Sequence, residues 1–327
     1  MHTPPLSKTP DTVAFYERVI KRLENRAAEM VAAGLMDEAV DRNLQLALAV
    51  DDLAPFVTAS TFRLYRAAVM YAIERAPGPF DYNIEPLLNP EPSENESIRQ
   101  EELAQKREAN LTMLRGAQQK ATWLPAAEWV VLLKALRSSD SIWAQLAFDW
   151  VIATLGTGLR PCEWSDANWS GAKLIVNNAK ATNERAHGPT RTLDLSRVEP
   201  AQRAVLNRFV PAVQSTGSSG FKGSYDGVRN LVRVVARRTF PGRKRYPTLY
   251  TARHTFAARA KATFNRETVA ALMGHASLES AARHYASSKL ARGGMPLQVE
   301  ASFADIEAVR RANAARSVLK KPGEDGR

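Results

Sequence analysis

The sequence predicts a mainly α-helical protein of two domains with one small β-sheet. Apolar residues recur at helical spacing through most of the chain. Only one region reads as strands, Lys173–Asn177 (KLIVN) and Thr190–Leu195 (TRTLDL), flanking a polar connection that contains Gly and Pro. A short polar and basic segment, Gly116–Thr122 (GAQQKAT), separates two helical blocks as an interdomain linker would. At 327 residues the chain is long enough for two cores of ordinary size.

The first block opens with an amphipathic helix over Val13–Val31, where Val13, Tyr16, Ile20, Leu23, Ala27 and Met30 share a face and Asp11 is a candidate N-cap. A second helix is expected over Met36–Val50. A third spans Ser60–Arg75, with Thr61, Arg63, Tyr65 and Arg66 forming a basic, hydroxyl-bearing face. The proline-broken acidic stretch 77–97 reads as a loop or insertion, followed by a charged helix over Ile98–Arg115. This gives a helical domain over 1–115, a linker over 116–122, a second domain over 123–300, and a helix and tail over 301–327. In the second domain helices are expected at Ala126–Arg137 and Ser141–Leu155 before the hairpin, and at Pro200–Val213 after it. A Ser/Gly loop at Ser215–Ser224 leads to a basic helix over Val228–Arg238. Helices then follow at Ala252–Ala262, Arg266–Met273, Leu278–Ser287 and Phe303–Leu319. The apolar positions of the last, Phe303, Ile306, Val309 and Ala312, suit docking either on a neighbouring protomer or on the helix's own domain.

The net charge of +11 implies a positive field that favours polyanions, nucleic acid first. A single cysteine, Cys162, excludes an internal disulfide and a cysteine-paired zinc site, and the five scattered histidines suggest no metal. The Ser/Gly run lacks the order of a phosphate-binding loop, so no nucleotide cofactor is expected. Without a signal-peptide pattern or a membrane-length apolar run, the reading is of a cytoplasmic, nucleoid-associated protein with no membrane partner.

Three short blocks carry chemistry. They are Gly156-Thr157-Gly158-Leu159-Arg160-Pro161-Cys162-Glu163, then Tyr250-Thr251-Ala252-Arg253-His254-Thr255-Phe256-Ala257, then Leu272-Met273-Gly274-His275-Ala276-Ser277, with Tyr285 ten residues after His275. Two arginines can clamp the non-bridging oxygens of a phosphodiester and stabilise the charge of a phosphoryl transfer. A tyrosine ordinarily titrates near 10, but beside a phosphate held by cations its phenolate becomes accessible as a nucleophile. A lysine on a hairpin tip, Lys180, could protonate the leaving oxygen.

In order and approximate spacing these blocks resemble the tyrosine recombinases, the integrase and resolvase family of DNA strand-exchange enzymes, over about Trp123 to Gly294. The resemblance implies a helical, SAM-like core-binding domain followed by a tyrosine-recombinase catalytic domain. It implies cleavage and rejoining of double-stranded DNA at specific recombination sites through a 3′-phosphotyrosine, without cofactor. It also implies a homo-oligomer, a tetramer on DNA, with room for an accessory DNA-binding protein. Carried over by position, Arg160 and Arg253 clamp the phosphate, Glu163 supports Arg160, and Lys180 is the general acid. His275 bonds the scissile phosphate, Tyr285 is the nucleophile, and His254 is structural support.

Two departures stand out. Tyr250 occupies the place of a histidine, and a phenol is a poor base at neutral pH. The interval from His275 to Tyr285 is one residue longer than usual, a rotation of about 100° if it fell within a helix, so it must be absorbed in the Ala276–Glu279 turn. Phosphate contacts are expected from Arg63, Arg66, Lys120, Arg229, Arg238, Arg243, Lys244 and Arg245. The rival readings are type IB topoisomerase-like DNA relaxation and a catalytically degenerate DNA-binding protein.

Overall fold

The computed structural model describes residues 8, 10–78, 84, 88, 105, 120–179, 181, 186–291 and 297–319. The chain divides into two compact units, residues 1–117 and 118–327. Lys180, most of the 77–97 stretch and of the expected 98–115 helix, and residues 116–119 lie outside the described residues.

In the first unit, α1 (Pro10–Ala32), α2 (Arg42–Leu53) and α3 (Ala59–Arg75) pack around Leu23, Leu46, Val50 and Val69, joined by Ile84 and Leu88. The α1 helix begins at Pro10, one residue ahead of Asp11. The second helix starts later than expected, at Arg42. Gly34 takes a positive φ after α1, and Asp41 accepts a hydrogen bond from the Asn43 N–H at 3.0 Å, which fixes the new N-terminus. Thr58 caps α3 through the Thr61 N–H at 3.2 Å. Tyr65 departs from the expected basic face: it is buried in this core, with Arg22 over its ring.

The second unit is built on α4 (Ala126–Arg137), α5 (Ala144–Thr157), α6 (Pro200–Gln214), α7 (Gly217–Thr239), α8 (Leu249–Thr263), α9 (Arg266–Met273), α10 (Glu279–His284) and α11 (Phe303–Leu319). Beside them lies a four-stranded antiparallel sheet in the order β1 (Asn168–Ser170), β2 (Lys173–Asn177), β3 (Thr190–Asp194), β4 (Glu300–Ala301). The outer strands β1 and β4 have too few residues for a period-2 pattern, and sequence reasoning missed both. The core centres on Trp150, Trp164 and Phe209, with Trp164 edge-on to Phe209 at 4.9 Å between ring centroids.

The expected Ser/Gly loop is instead the first part of α7, which starts at Gly217. Phe221 and Tyr225 reach the Trp150 ring, each with centroids 5.8 Å away, and a Cβ at Gly227 would lie 2.4 Å from Trp143. Aromatic packing there overrides the low helix propensity of glycine and serine.

The α11 helix docks on its own chain, burying Val309 against Ala270 and Ala271, with Ile306 alongside. Phe303, at its first position, projects outward and is 74% exposed, so it is not part of the seam. Among the described residues, no helix is long and apolar enough to cross a membrane.

Candidate active site

The α5 helix ends at Gly158, whose φ of 68° and close approach to Phe256 (2.2 Å from a Cβ placed there) both demand glycine. The chain then turns through the short 3₁₀ segment Pro161–Trp164, which brings Glu163 back beneath Arg160. Glu163 accepts from the Arg160 main-chain N–H at 2.7 Å and from Arg160 Nη1 at 2.6 Å. Arg253 Nη1 is 3.8 Å from the same carboxylate. Burial alone would raise the Glu163 carboxyl's pKa, but the charges of Arg191, Arg253 and Arg160 hold it well below the usual carboxylate range. Arg160 is 6% exposed, and its Nε has no hydrogen-bond acceptor among the described residues.

Helix α8 presents Tyr250, Arg253 and His254 from its first two turns, after Thr248 caps it. Arg253 is fully buried and donates from every branch of its guanidinium. The recipients are the Tyr285 hydroxyl from Nε at 3.1 Å, the Gly158 carbonyl from Nη1, and the Met273 carbonyl from Nη2 at 3.0 Å. The motif glycine Gly158 and the segment before His275 are thereby tied to one side chain. Burial pulls the Arg253 pKa downward, joined by the neighbouring Arg160 and Arg191 charges and opposed by Tyr285 and Glu163.

Tyr285 is reached from α9 through Gly274, the buried His275, and the turn before α10. The turn is held by α11: Asn313 donates to the Ala276 carbonyl at 3.0 Å and accepts from the Leu278 N–H at 3.3 Å. The expected helix over Leu278–Ser287 stops at His284, and Tyr285 is extended (φ −126°, ψ 161°). Lys261 of α8 satisfies the carbonyls left open at this end. Its Nζ donates to the Ala281 carbonyl at 3.1 Å, which a continuing helix would use for the Tyr285 N–H, and to the Tyr285 carbonyl at 3.3 Å.

Around the Tyr285 ring lie His254 at 5.0 Å and His275 at 5.5 Å between centroids, with Arg253 5.4 Å from the ring centre. Burial pushes the Tyr285 phenol up. The Arg253 charge and hydrogen bond, the Arg160 charge and the influence of the Tyr250 hydroxyl outweigh it, and the net direction is down. Tyr250 shifts the opposite way, upward, from burial and from Tyr285. His254 is lowered to about 4 by burial and by Arg253, Lys261 and Lys120, so its ring is neutral at pH 7. Such a site can hold a phenolate beside two guanidinium groups, one with an unused donor.

The structure therefore brings together Arg160, Glu163, Tyr250, Arg253, His254, His275 and Tyr285. Sequence reasoning missed Arg191 and Lys261. Arg191 could have been noticed because it shares strand phase with Leu193 and Leu195, which predicts burial. Of the expected phosphate contacts, Arg63, Lys120, Arg229, Arg238, Lys244 and Arg245 are exposed and Arg66 is half-buried against Phe62. Arg229 pairs with Asp226 at 3.4 Å, and Arg243 is engaged by Glu128.

No family model matches the sequence, and no curated protein matches it either. Among solved structures the chain is similar to a lambda integrase tetramer bound to a Holliday junction, at 13% identity and a TM-score of 0.52, covering 86% of this chain and 73% of that one. It is also similar to a lambda integrase (75–356) dimer bound to a COC′ core site, at 13% identity and a TM-score of 0.50, covering 88% and 92%. Identity this low speaks to architecture, and the architecture is clear: the chain has the tyrosine-recombinase fold.

Proposed function

We propose that this protein is a site-specific DNA recombinase that cleaves and rejoins double-stranded DNA through a covalent 3′-phosphotyrosine on Tyr285. The observation that carries the reading is the Tyr285 hydroxyl 3.1 Å from Arg253 Nε, with its pKa drawn down by Arg253, Arg160 and Tyr250. Tyr285 attacks phosphorus as the phenolate, and the bond to the 5′-oxygen breaks. That oxygen takes a proton from Lys180, and the 5′-hydroxyl formed can later attack the phosphotyrosine to reverse the step without a cofactor. Arg160, whose buried Nε has no acceptor among the described residues, grips a non-bridging oxygen, because an unsatisfied buried cation donor is costly until an anion meets it. His275 completes the grip, while Glu163 and His254 support it. Residues 1–115 serve as a core-binding domain and 123–300 as the catalytic domain. The active form is a tetramer on two DNA sites, by analogy with the lambda integrase tetramer.

Incubation with a nicked suicide duplex of the protein's own site tests this reading. A covalent complex at the 3′-phosphate is expected. Binding without any adduct would favour a degenerate DNA-binding protein, and relaxation of any plasmid without strand exchange a topoisomerase.

Tyr250→Phe is expected to slow cleavage at neutral pH roughly tenfold and to move the pH–rate profile upward. The variant loses a hydroxyl able to donate to the Tyr285 phenolate, a bond worth about 1.5–3 kcal/mol once formed, and each 1.36 kcal/mol raises the Tyr285 pKa by about one unit. Single-turnover cleavage against pH measures it; an unmoved profile would remove Tyr250 from the chemistry.

The exposed Arg63, Lys120, Arg238, Lys244 and Arg245 are proposed phosphate contacts, with Arg66 and Arg229. If they and others neutralise about six to ten phosphates, affinity should fall roughly a thousandfold or more between about 50 and 200 mM salt. A salt-insensitive affinity in a filter-binding titration would sink this assignment.

A further inference from the structure

Arg191 belongs to none of the sequence motifs and has no chemistry assigned to it. It stands on the buried face of β3 with Leu193, opposite Val176 of β2, and is 1% exposed. A buried ion pair is weak evidence for stability, since hydrophobic residues of like volume often serve as well. The sheet core alone therefore does not explain an arginine among Leu174, Val176 and Leu193.

Its partners do. Nη2 donates to Glu163 Oε2 at 2.7 Å and Nη1 to Glu163 Oε1 at 3.2 Å, a two-pronged grip that fixes the carboxylate plane. Nη1 also bonds the Asn178 side-chain carbonyl, and Nε donates to the Leu272 carbonyl at 3.1 Å. Each acceptor leads into a different part of the site. Glu163 fastens the main chain and Nη1 of Arg160. Leu272 is three residues before His275, at the end of α9. Asn178 closes the base of the hairpin, its N–H on the Pro189 carbonyl at 2.8 Å and its Nδ2 on Gly188 at 2.9 Å. Gly274 makes room for the junction: a Cβ there would lie 2.7 Å from Arg191 Nη1 and 2.5 Å from Asn178 Oδ1. A lysine offers one compact head and cannot span these acceptors in the same fixed plane.

We propose that Arg191 is a positioning residue of the phosphoryl-transfer site, its planar fork setting Glu163 and the end of α9 so that Arg160 and His275 converge on one phosphate. The proposal rests on the recombinase reading. Arg191 itself touches no reacting atom; it acts through Glu163 and the α9 terminus.

The test compares wild type with Arg191→Lys, Arg191→Met and the double variant Glu163→Gln/Arg191→Met. Melting temperature, affinity for site DNA and single-turnover cleavage are measured on the full chain. The substrates are an ordinary scissile phosphodiester and a methylphosphonate in its place, which lacks the anionic oxygen that Arg160 must meet. Arg191→Lys is expected to fold and bind DNA but cleave the phosphodiester about 10²–10³-fold more slowly, the scale of one misplaced charge-stabilising donor. On the neutral methylphosphonate the loss should shrink to about tenfold or less. The double variant relieves one of the three buried cations but leaves Arg160 and Arg253 without their anion, so it is expected to melt below wild type, to stay folded, and to remain slow.

Losses of equal size on the two substrates would overturn the proposal, because a merely structural role affects both alike. So would wild-type cleavage by the double variant, or unfolding of all three variants. Cleavage by wild type that the variants match overturns this proposal alone; absence of cleavage by wild type overturns the recombinase reading and this proposal with it.

Discussion

Replacing Tyr285 with phenylalanine is expected to abolish covalent complex formation, a loss on the order of 10⁴-fold or more, while DNA affinity stays within a few-fold of wild type. The substitution removes one oxygen and keeps the ring. The packing against His254 and His275 and the Arg253 cation over the ring therefore persist. Arg253 Nε loses its acceptor, which costs about 1–3 kcal/mol, but its other branches remain on the Gly158 and Met273 carbonyls. The protein should consequently fold and bind. The Tyr250 hydroxyl, the nearest other phenol, is raised in pKa by burial and by Tyr285, so it should not substitute as nucleophile. Electrophoresis of the suicide-substrate reaction under denaturing conditions measures the outcome, and an adduct of undiminished yield in Tyr285→Phe would refute the assignment.

Glu163→Gln is expected to have the largest effect on stability. Glu163 is 3% exposed and stands among Arg160, Arg191 and Arg253. Removing the one anion leaves three buried guanidinium groups repelling one another, and breaking a buried ion pair from one side costs about 3–5 kcal/mol. At about 2–4 °C per kcal/mol for a unit of this size, the melting midpoint should fall by roughly 10 °C. The effect also has a pH signature. The folded carboxyl is held below its ordinary value, so its stabilisation is complete above the unfolded pKa, about 4.3, and is lost as pH falls through the folded value. Wild type and Glu163→Gln should thus differ most near neutral pH and converge in acid. Thermal melts from about pH 3 to 7 measure this; a constant gap, or none, would contradict the account of Glu163 as the site's counterion.

Much of the fold was legible because local chemistry and tertiary structure agree. The bounds of α4, β2, α9 and α11 follow from Pro125, the KLIVN alternation, the Asn265 cap with Gly274, and Ser302 before an apolar period. Where they disagree, the sequence misleads. The Ser/Gly run reads as a loop, yet it is helical because Phe221, Tyr225 and Gly227 meet the Trp150 and Trp143 rings from another element. Periodicity carries α10 through Tyr285, yet the helix ends at His284, where Lys261 of α8 donates to the Ala281 carbonyl. Such a partner, 20 residues away in sequence, leaves no local trace. The candidate site divides in the same way. Arg160, Glu163, Arg253 and His275 stand in short blocks whose spacing is itself a pattern. Arg191 reaches its partners only once β3 is laid beside β2 and α9, and its one sequence signal is its phase with Leu193 and Leu195.

Tyr250 and Tyr285 bias each other's ionisation, so the chemistry turns on which phenol becomes linked to DNA. Trapping the complex on a nicked suicide duplex, digesting it with protease and sequencing the nucleotidyl peptide measures this directly. A single DNA-linked peptide is expected, with the modification on Tyr285 and the phosphate at a 3′ end. Attachment at Tyr250, attachment through a 5′-phosphate, or no linked peptide from active protein would contradict it.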